Sequence, residues 1–219
     1  MVQNISEKMK EFDNELLKQL SSYGFKKKKK HLFIRNQEEC LQHITILETK
    51  IKGEDKVYIN ICVGFKYEKI NRLISIIQNE KYDNRWATAN INMSSLMNLS
   101  EPYGFYLDEK TDLELIIQQV FYAIKNHALA YFESCDTLEK YEAMLLCKDD
   151  NVIKSTYTLK RPEWNLLALA IILERNNIEE IFEEYENDFN ASAFPSRNIK
   201  DQVKKILKNK EEGICWEEI

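Results

Sequence analysis

Glycine and proline are scarce in this chain of 219 residues, which contains five glycines and three prolines. Long flexible linkers are rich in these residues, so the composition argues against several domains on such linkers. Hydrophobic residues make up 44% of the chain and occur along its whole length, which excludes a largely disordered protein. We therefore expect residues 1–150 to form an α+β domain. Residues 151–219 are expected to pack on it as a helical extension within one structural unit.

The sequence also lacks a long hydrophobic run. Its longest apolar-rich stretch, from Leu166 to Leu173, is far shorter than the ~18 residues that a membrane-spanning helix requires. The first ten residues are polar and of mixed charge, unlike the basic and then apolar start of a signal peptide. We therefore expect a cytoplasmic protein that does not bind membranes.

Cysteines are few, odd in number and widely spaced. They occur at Cys40, Cys62, Cys135, Cys147 and Cys215. A disulfide framework would be unusual in a cytoplasmic chain of this size, and the spacing does not suggest one. We expect reduced thiols, most of them buried.

Motifs that carry known chemistry are missing as well. The three histidines, His31, His43 and His127, belong to no His-Glu-x-x-His pattern, and there is no Cys-x-x-Cys pair. A Gly-x-Ser-x-Gly nucleophile motif and a glycine-rich phosphate loop are also absent. We expect no metal site, no cofactor and no catalytic residues that a sequence motif would reveal.

Alternation of apolar and polar residues predicts strands in the first half of the chain. Residues 57–65 follow a strict period of two, with all the odd positions apolar. Residues 41–51 alternate in the same way, and residues 52–55 have the composition of a turn, so an antiparallel hairpin is expected. Shorter strands are predicted at residues 32–35, 85–93 and 103–107.

Helical periodicity predicts α-helix at the start of the chain and through most of its second half. Apolar residues recur at steps of three and four from Ile5 to Leu20, and this helix is expected to end near Gly24. Further helices are predicted over residues 67–77, 111–124, 138–145, 162–173, 177–188 and 196–207. The expected fold class is α+β, with an antiparallel sheet packed against the N-terminal helix and a helix-rich C-terminal half.

Polar residues mark the starts of several predicted helices. Thr111 and Glu114 fit a capping box, in which each side chain bonds the other residue's backbone amide. Pro162 suits the first position of a helix, where its missing amide is not needed. Asn177 and Ser196 are expected to cap the last two predicted helices.

Several short motifs occur in the order typical of a known family. They are Gly24-Phe25-Lys26-Lys27, Phe33-Ile34-Arg35, His43-Ile44-Thr45-Ile46, Tyr58-Ile59-Asn60-Ile61 and Ala128-Leu129-Ala130-Tyr131-Phe132. Over residues 5–145 the chain resembles bacterial domain-of-unknown-function family 4304, which has immunity-type relatives near toxin systems. The resemblance implies an α+β fold of sheet and helices, and it brings no established activity.

Five consecutive lysines, Lys26–Lys30, are the strongest basic feature and suggest nucleic-acid binding as one function. Stacking aromatic residues are not interleaved with them, and the formal net charge of the chain is −5. A solvated turn or an edge strand explains the run better, because lysines on an edge discourage pairing between molecules. We expect no specific binding of nucleic acid.

Acidic residues are concentrated in the second half of the chain. Six of them fall within one predicted helix: Glu179, Glu180, Glu183, Glu184, Glu186 and Asp188. A solvated outer face is the simpler explanation, and a docking surface for a basic partner is the functional one. Carboxylates four residues apart on a helix repel each other, and a cationic partner would relieve that repulsion.

Two hypotheses of different classes remain open. The first is a non-enzymatic protein-binding module, in one form an immunity protein that neutralises a toxin, with the six acidic residues as its contact region. The second is an enzyme whose site forms only in three dimensions, around Tyr58, Asn60, Arg85 and His127. A deep pocket with convergent polar groups would favour the enzyme, and a flat acidic surface would favour the binding module.

Overall fold

The computed structural model of the chain describes residues 5–85, 87–148, 162–190 and 199–212. An N-terminal helix precedes an antiparallel sheet of six strands, and the second half is rich in helices. The predicted α+β fold class is therefore confirmed. None of the described helices is both long and apolar enough to cross a membrane.

Helix α1 spans Ile5–Ser21 and packs through the apolar stripe that its sequence predicts. It is followed by Gly24, whose φ of 83° is a left-handed conformation that glycine adopts without strain. Lys8 is buried, and its ammonium group bonds three backbone carbonyls of one loop. These are the carbonyls of Asp108, Glu109 and Thr111, at 2.8, 2.6 and 3.1 Å. These bonds fix α1 to the loop that follows the last strand.

The six strands are β1 (Lys26–Lys29), β2 (Leu32–Asn36), β3 (Leu41–Lys50), β4 (Val57–Lys66), β5 (Ala89–Asn92) and β6 (Gly104–Leu107). Strands β1 to β4 lie side by side in chain order, and every pair in the sheet is antiparallel. The far edge of β4 is shared, because β5 pairs with residues 62–65 and β6 with residues 57–60. The predicted β3–β4 hairpin is confirmed, and the lysine run forms the edge strand β1.

The strand predicted over residues 85–93 is shorter in the structure and begins only at Ala89. Just before it, the hydroxyl of the fully buried Thr88 accepts a hydrogen bond from the backbone amide of Tyr67 at 2.7 Å. At its other end, Met93 begins a short helix. The apolar alternation runs through all of these positions, so periodicity alone could not place the ends of the strand.

The remaining helices within the described residues are α2 (Glu68–Ile77), α3 (Met93–Leu96), α4 (Leu113–Ala123), α5 (Leu129–Glu133), α6 (Leu138–Leu146), α7 (Pro162–Ile172), α8 (Ile178–Glu184), α9 (Glu186–Asn190) and α10 (Ile199–Glu211). A five-residue π-helical segment, Ile124–Ala128, joins α4 to α5. Pro162 occupies the first position of α7, as predicted. The helices expected after α1 are thus present, although several begin or end at other residues.

One predicted helix cap is wrong, and a second is confirmed only in its position. Helix α4 begins at Leu113, so its cap is Asp112, whose carboxylate accepts a hydrogen bond from the amide of Leu115 at 3.1 Å. The hydroxyl of Thr111 instead accepts a bond from the amide of Asp108, within the preceding turn. Asn177 occupies the cap position of α8, but its side chain forms no cap bond there. Ser196 lies outside the described residues.

One face of the sheet carries the hydrophobic core. The odd positions of β4 are buried on this face, as the strict alternation predicts. Phe65 of β4 lies 4.9 Å from the ring of Tyr141 in α6 and 5.8 Å from the ring of Tyr131 in α5, measured between centroids. Tyr67 stacks on Tyr141 and donates its hydroxyl proton to the carbonyl of Cys135 at 2.6 Å. Helices α5 and α6 therefore cover this face, and the opposite face of β4 is only half-buried.

Helix α7 is the centre of the C-terminal packing. It is apolar almost all round, and it contacts α2, α6 and α8, while α10 also contacts α2. The buried residues of α7, α8 and α10 belong to the same hydrophobic core as the sheet. Residues 149–161 lie outside the described residues, so the division of the chain at residue 150 stays a prediction.

The four cysteines within the described residues are free thiols. Cys40 and Cys135 are buried, Cys62 is half-buried and Cys147 is exposed. Burial raises the pKa of the Cys40 and Cys62 thiols to about 11, which leaves both protonated and unreactive at neutral pH. Cys215 lies outside the described residues.

Candidate functional site

The six acidic residues singled out in the sequence lie on two short helices rather than one. Helix α8 ends at Glu184 and α9 begins at Glu186, because the backbone angles at Tyr185 are −111° and 18°, far from helical values. The prediction of a single continuous helix is therefore wrong. Repulsion between carboxylates four residues apart still applies within α8, to Glu179 with Glu183 and to Glu180 with Glu184. It does not apply in the same form to Glu184 and Asp188, which lie on either side of the interruption.

All six of these carboxylates are exposed, and we call the surface that they form the acidic ridge. It consists of Glu179, Glu180, Glu183, Glu184, Glu186 and Asp188. The apolar side chains of the same segment are directed inward, since Ile181, Phe182 and Phe189 are 3–5% exposed. Phe189 packs 5.0 Å from the ring of Trp164 in α7 and 5.5 Å from Phe182. The ridge is thus attached to the core by an aromatic cluster beneath it.

Basic residues border the acidic ridge and partly compensate its charge. Lys148 forms an ion pair with Glu184 at 3.2 Å, and both side chains are more than half exposed. Lys200, at the start of α10, places its ammonium group 5.5 Å from the ring centroid of Phe182. Exposed ion pairs of this kind are weak, so a protein partner could exchange them for its own cations at little cost.

The residues of the alternative enzyme site are not brought together. Tyr58 and Asn60 share the half-buried face of β4, near the start of that strand. Arg85 follows Asn84, whose backbone carbonyl accepts a hydrogen bond from Lys66 at the other end of β4. Lys66 itself is eight residues from Tyr58 along the strand, which is about 27 Å at ~3.4 Å per residue. His127 lies in the π-helical segment, in the helical layer on the opposite face of the sheet.

On the half-buried face of the sheet, one side-chain contact spans three neighbouring strands. His43 of β3 and Asn90 of β5 form a hydrogen bond between Nε2 and Oδ1 at 2.6 Å, which passes over Gly64 of β4. A Cβ at Gly64 would lie 2.3 Å from Asn90 Oδ1 and 2.8 Å from His43 Cε1. Burial lowers the pKa of His43, although the bond to Asn90 opposes this effect. The bond joins β3 to β5 across β4, so it is a structural contact within the sheet.

A second polar cluster ties α1 to the edge of the sheet, and we call it the His31 cluster. It consists of Asp13, Lys27, Lys30, His31 and Glu48. The ring of His31 contacts Asp13 through Nδ1 at 2.8 Å and Glu48 through Nε2 at 3.0 Å. Lys27 and Lys30 pair with the same two carboxylates at 2.8 and 2.9 Å. Every charge has a partner of opposite sign, so the cluster is a structural tie that employs two lysines of the run.

An open groove of about 710 Å³ lies between the start of α2 and the loop that follows this helix. We call it the Tyr82 groove. It is lined by Tyr82, by Asn84 and by six charged residues: Lys66, Glu68, Arg72, Lys81, Asp83 and Arg85. No charge run in the sequence marks this groove, because basic and acidic residues alternate through the segment. A cluster of cations around one aromatic residue is the signal that could have indicated it.

Metal binding finds no support in the described part of the chain. No group of three or more histidine, cysteine, aspartate or glutamate side chains there could hold a metal ion. Although the His31 cluster contains a histidine and two carboxylates, its lysines occupy the positions that a cation would take.

No protein family matches this chain, and neither a curated protein nor a solved structure matches it. The resemblance to family 4304, with its immunity-type relatives, therefore stays a prediction.

Proposed function

We propose that this chain is a protein-binding module without catalytic activity, which docks a basic partner protein through the acidic ridge. The observation that supports this proposal is the exposure of all six carboxylates above a segment whose apolar residues are buried. Since α8 packs on the apolar helix α7, the backbone of the ridge is anchored to the hydrophobic core. A surface that keeps its shape loses little conformational entropy when a partner binds.

Charge explains which partner the ridge would select. A cluster of carboxylates attracts a cationic surface over a distance of about 8–10 Å at physiological salt, and it accelerates the encounter. A toxin domain that acts on nucleic acid would carry such a surface for its substrate. With that partner, the chain would be an immunity protein of the bacterial cytoplasm.

An enzymatic role has less support. The residues of that alternative are divided between the two ends of β4 and the opposite helical layer, so no common substrate could contact them all. Among the described residues, the groove of about 710 Å³ is open and lined mainly by charged groups already paired with one another. Catalytic sites are more often enclosed and convergent.

The test replaces three carboxylates of the ridge in the variant Glu180→Gln/Glu183→Gln/Glu184→Gln. Because like charges are removed from an exposed surface, we expect the fold to remain intact and the thermal midpoint to stay equal or rise slightly. Association with a purified basic partner, captured by cross-linking and measured by surface plasmon resonance, should slow several-fold at low salt. The difference should vanish at high salt, where charge is screened.

The matched control is Glu38→Gln/Glu101→Gln/Glu211→Gln, which removes the same charge from exposed positions elsewhere. Association of the control should resemble that of the unaltered chain at every salt concentration. An equal rate for both triple variants would show that the ridge is only a solvated surface.

A further inference from the structure

The Tyr82 groove differs in charge from the rest of this net acidic chain. Its lining has four cations and two carboxylates, while the whole chain has a formal net charge of −5. Each carboxylate is bonded to an arginine, Glu68 to Arg72 at 2.7 Å and Asp83 to Arg85 at 2.6 Å. Lys66 Nζ also lies 3.9 Å from Glu68 Oε2, so the excess of two positive charges belongs to the lining as a whole.

Lys66 and Arg72 of the groove are held in position by their neighbours. Lys66 is only 16% exposed, and its ammonium group donates a hydrogen bond to the carbonyl of Asn84 at 2.9 Å. The ring of Tyr82 contacts both of these cations, with its centroid 5.5 Å from Lys66 Nζ and 4.8 Å from the guanidinium carbon of Arg72. Cations placed in advance bind an anion without the entropy loss of ordering long side chains.

Arg85 adds hydrogen-bond donors at the rim of the groove. It bonds Asp83 through Nε and Nη2, which form one edge of the guanidinium group. The side chain is 81% exposed, so the other edge faces solvent. An arginine held in this manner can donate to an oxyanion while it keeps its carboxylate partner.

The start of α2 contributes to the same groove through Glu68. The residue before it, Tyr67, occupies the cap position of α2, and its side chain forms no hydrogen bond with the amides of the first turn. A helix N-terminus carries partial positive charge, which adds to that of the four cations. The formal charge of the lining, two units positive, matches a phosphate monoester, which carries about −1.5 to −2 at neutral pH.

We propose that the Tyr82 groove binds a small phosphorylated molecule, with Lys66, Lys81 and Arg85 bonding the phosphate oxygens. The volume of about 710 Å³ exceeds that of a phosphate group and falls within the ~300–1,000 Å³ of small-molecule sites. The remainder of the ligand therefore occupies the groove beside Tyr82. This site does not depend on the acidic ridge or on its partner.

The experiment titrates inorganic phosphate and phenyl phosphate into the isotope-labelled chain and follows the amide signals by nuclear magnetic resonance. We expect saturable shifts at residues 66–72 and 81–85, with phenyl phosphate binding more tightly than phosphate. Sodium chloride at the same ionic strength should leave these signals in place. Absent or non-saturating shifts, or shifts spread over all the lysines, would overturn the proposal.

Lys81→Gln and Arg85→Gln are the test variants, because both side chains are exposed and neither residue belongs to the core. Each should weaken phenyl phosphate binding at least several-fold. Lys69→Gln removes the same charge from an exposed position of α2 outside the groove and should bind as the unaltered chain does. If Lys69→Gln binds as weakly as the test variants, the attraction is non-specific and the proposed site is wrong.

A single-stranded oligonucleotide is the last probe, because its backbone offers the same phosphate chemistry. We expect it to bind no more tightly than phenyl phosphate, since the groove accommodates only a small molecule. Much tighter binding that is lost in Lys81→Gln would assign the groove to nucleic acid and overturn the proposal.

Discussion

At the scale of single residues, the contact between His43 of β3 and Asn90 of β5 depends on the missing side chain of Gly64 in β4. A Cβ there would lie 2.2 Å from the carbonyl oxygen of Ala89 and 2.8 Å from His43 Cε1. Because the strand backbone and the bonded histidine ring cannot both move away, we expect Gly64→Ala to lower the free energy of unfolding by about 1–3 kcal/mol. Urea denaturation followed by circular dichroism measures this loss.

The matched control is Gly53→Ala, in the turn between β3 and β4. Nothing lies within 4 Å of an added Cβ at Gly53, and only its φ of 81° is unfavourable for alanine. We expect this strain to cost about 1 kcal/mol. If Gly64→Ala were no more destabilising than Gly53→Ala, the result would contradict the close contact of His43 and Asn90 over Gly64.

The His31 cluster makes stability depend on pH through Glu48. Burial of the Glu48 carboxyl favours a higher pKa, but hydrogen bonds and charges of Lys30 and His31 outweigh burial and hold the pKa below 4.5. When a carboxyl pKa is lowered by folding, the unfolded chain binds the proton more readily. The contribution of Glu48 is therefore fully present above about pH 5, and it is lost as the pH falls through the lowered value.

Replacement of this carboxylate tests the pH dependence. We expect Glu48→Gln to be less stable than the unaltered chain at about pH 7 and to lose less stability on acidification to about pH 3. Urea midpoints at several pH values measure the difference. Glu101→Gln, at an exposed position, should keep the full pH dependence. Parallel curves for Glu48→Gln and the unaltered chain would contradict this role of Glu48.

At the scale of elements, the start of α4 distinguishes a cap by Asp112 from the predicted capping box of Thr111 and Glu114. Asp112 accepts the bond from the Leu115 amide, whereas Glu114 bonds the side chain of Gln118. We expect Asp112→Ala to lower the free energy of unfolding by about 1 kcal/mol, and Glu114→Ala to lower it by less than about 0.5 kcal/mol. Thermal and urea denaturation of the two variants measure these losses. A larger loss for Glu114→Ala would favour the capping box that the sequence suggested.

Elements with a simple burial pattern could be predicted from the sequence. Helix α1 and the β3–β4 hairpin each bury one face, so hydrophobic periodicity follows their geometry directly. The start of β5 and the interruption at Tyr185 depend on contacts with distant residues or on a single pair of backbone angles. The π-helical segment likewise leaves no mark in a pattern of apolar residues.

The candidate sites differ in the same way. The acidic ridge was predictable because its residues are close in sequence and exposed together. The His31 cluster joins Asp13 of α1, His31 of the turn between β1 and β2, and Glu48 of β3, which come into contact only in the folded chain. The Tyr82 groove needs both the end of β4 and the loop after α2, which the bond from Lys66 to Asn84 holds together.

At the scale of the whole molecule, charge is distributed in separate surfaces of opposite sign. The ridge on α8 and α9 is acidic, and the groove at the start of α2 has excess positive charge. The two surfaces lie on different helices, α2 and α8, each of which contacts α7. The two surfaces can therefore be altered independently, and the variants proposed for one serve as controls for the other.

The shared edge of β4 also determines which part of the molecule opens last. Strand β4 has β3 along one side, and on the other side β6 and β5 cover its two halves in turn. Its backbone amides can reach deuterated solvent only when one of these neighbours detaches, and its buried side chains resist that event. In hydrogen–deuterium exchange, residues 57–66 should thus retain protons longest, while the edge strand β1 exchanges early. Equal rates in the two strands would mean that the sheet opens as a unit.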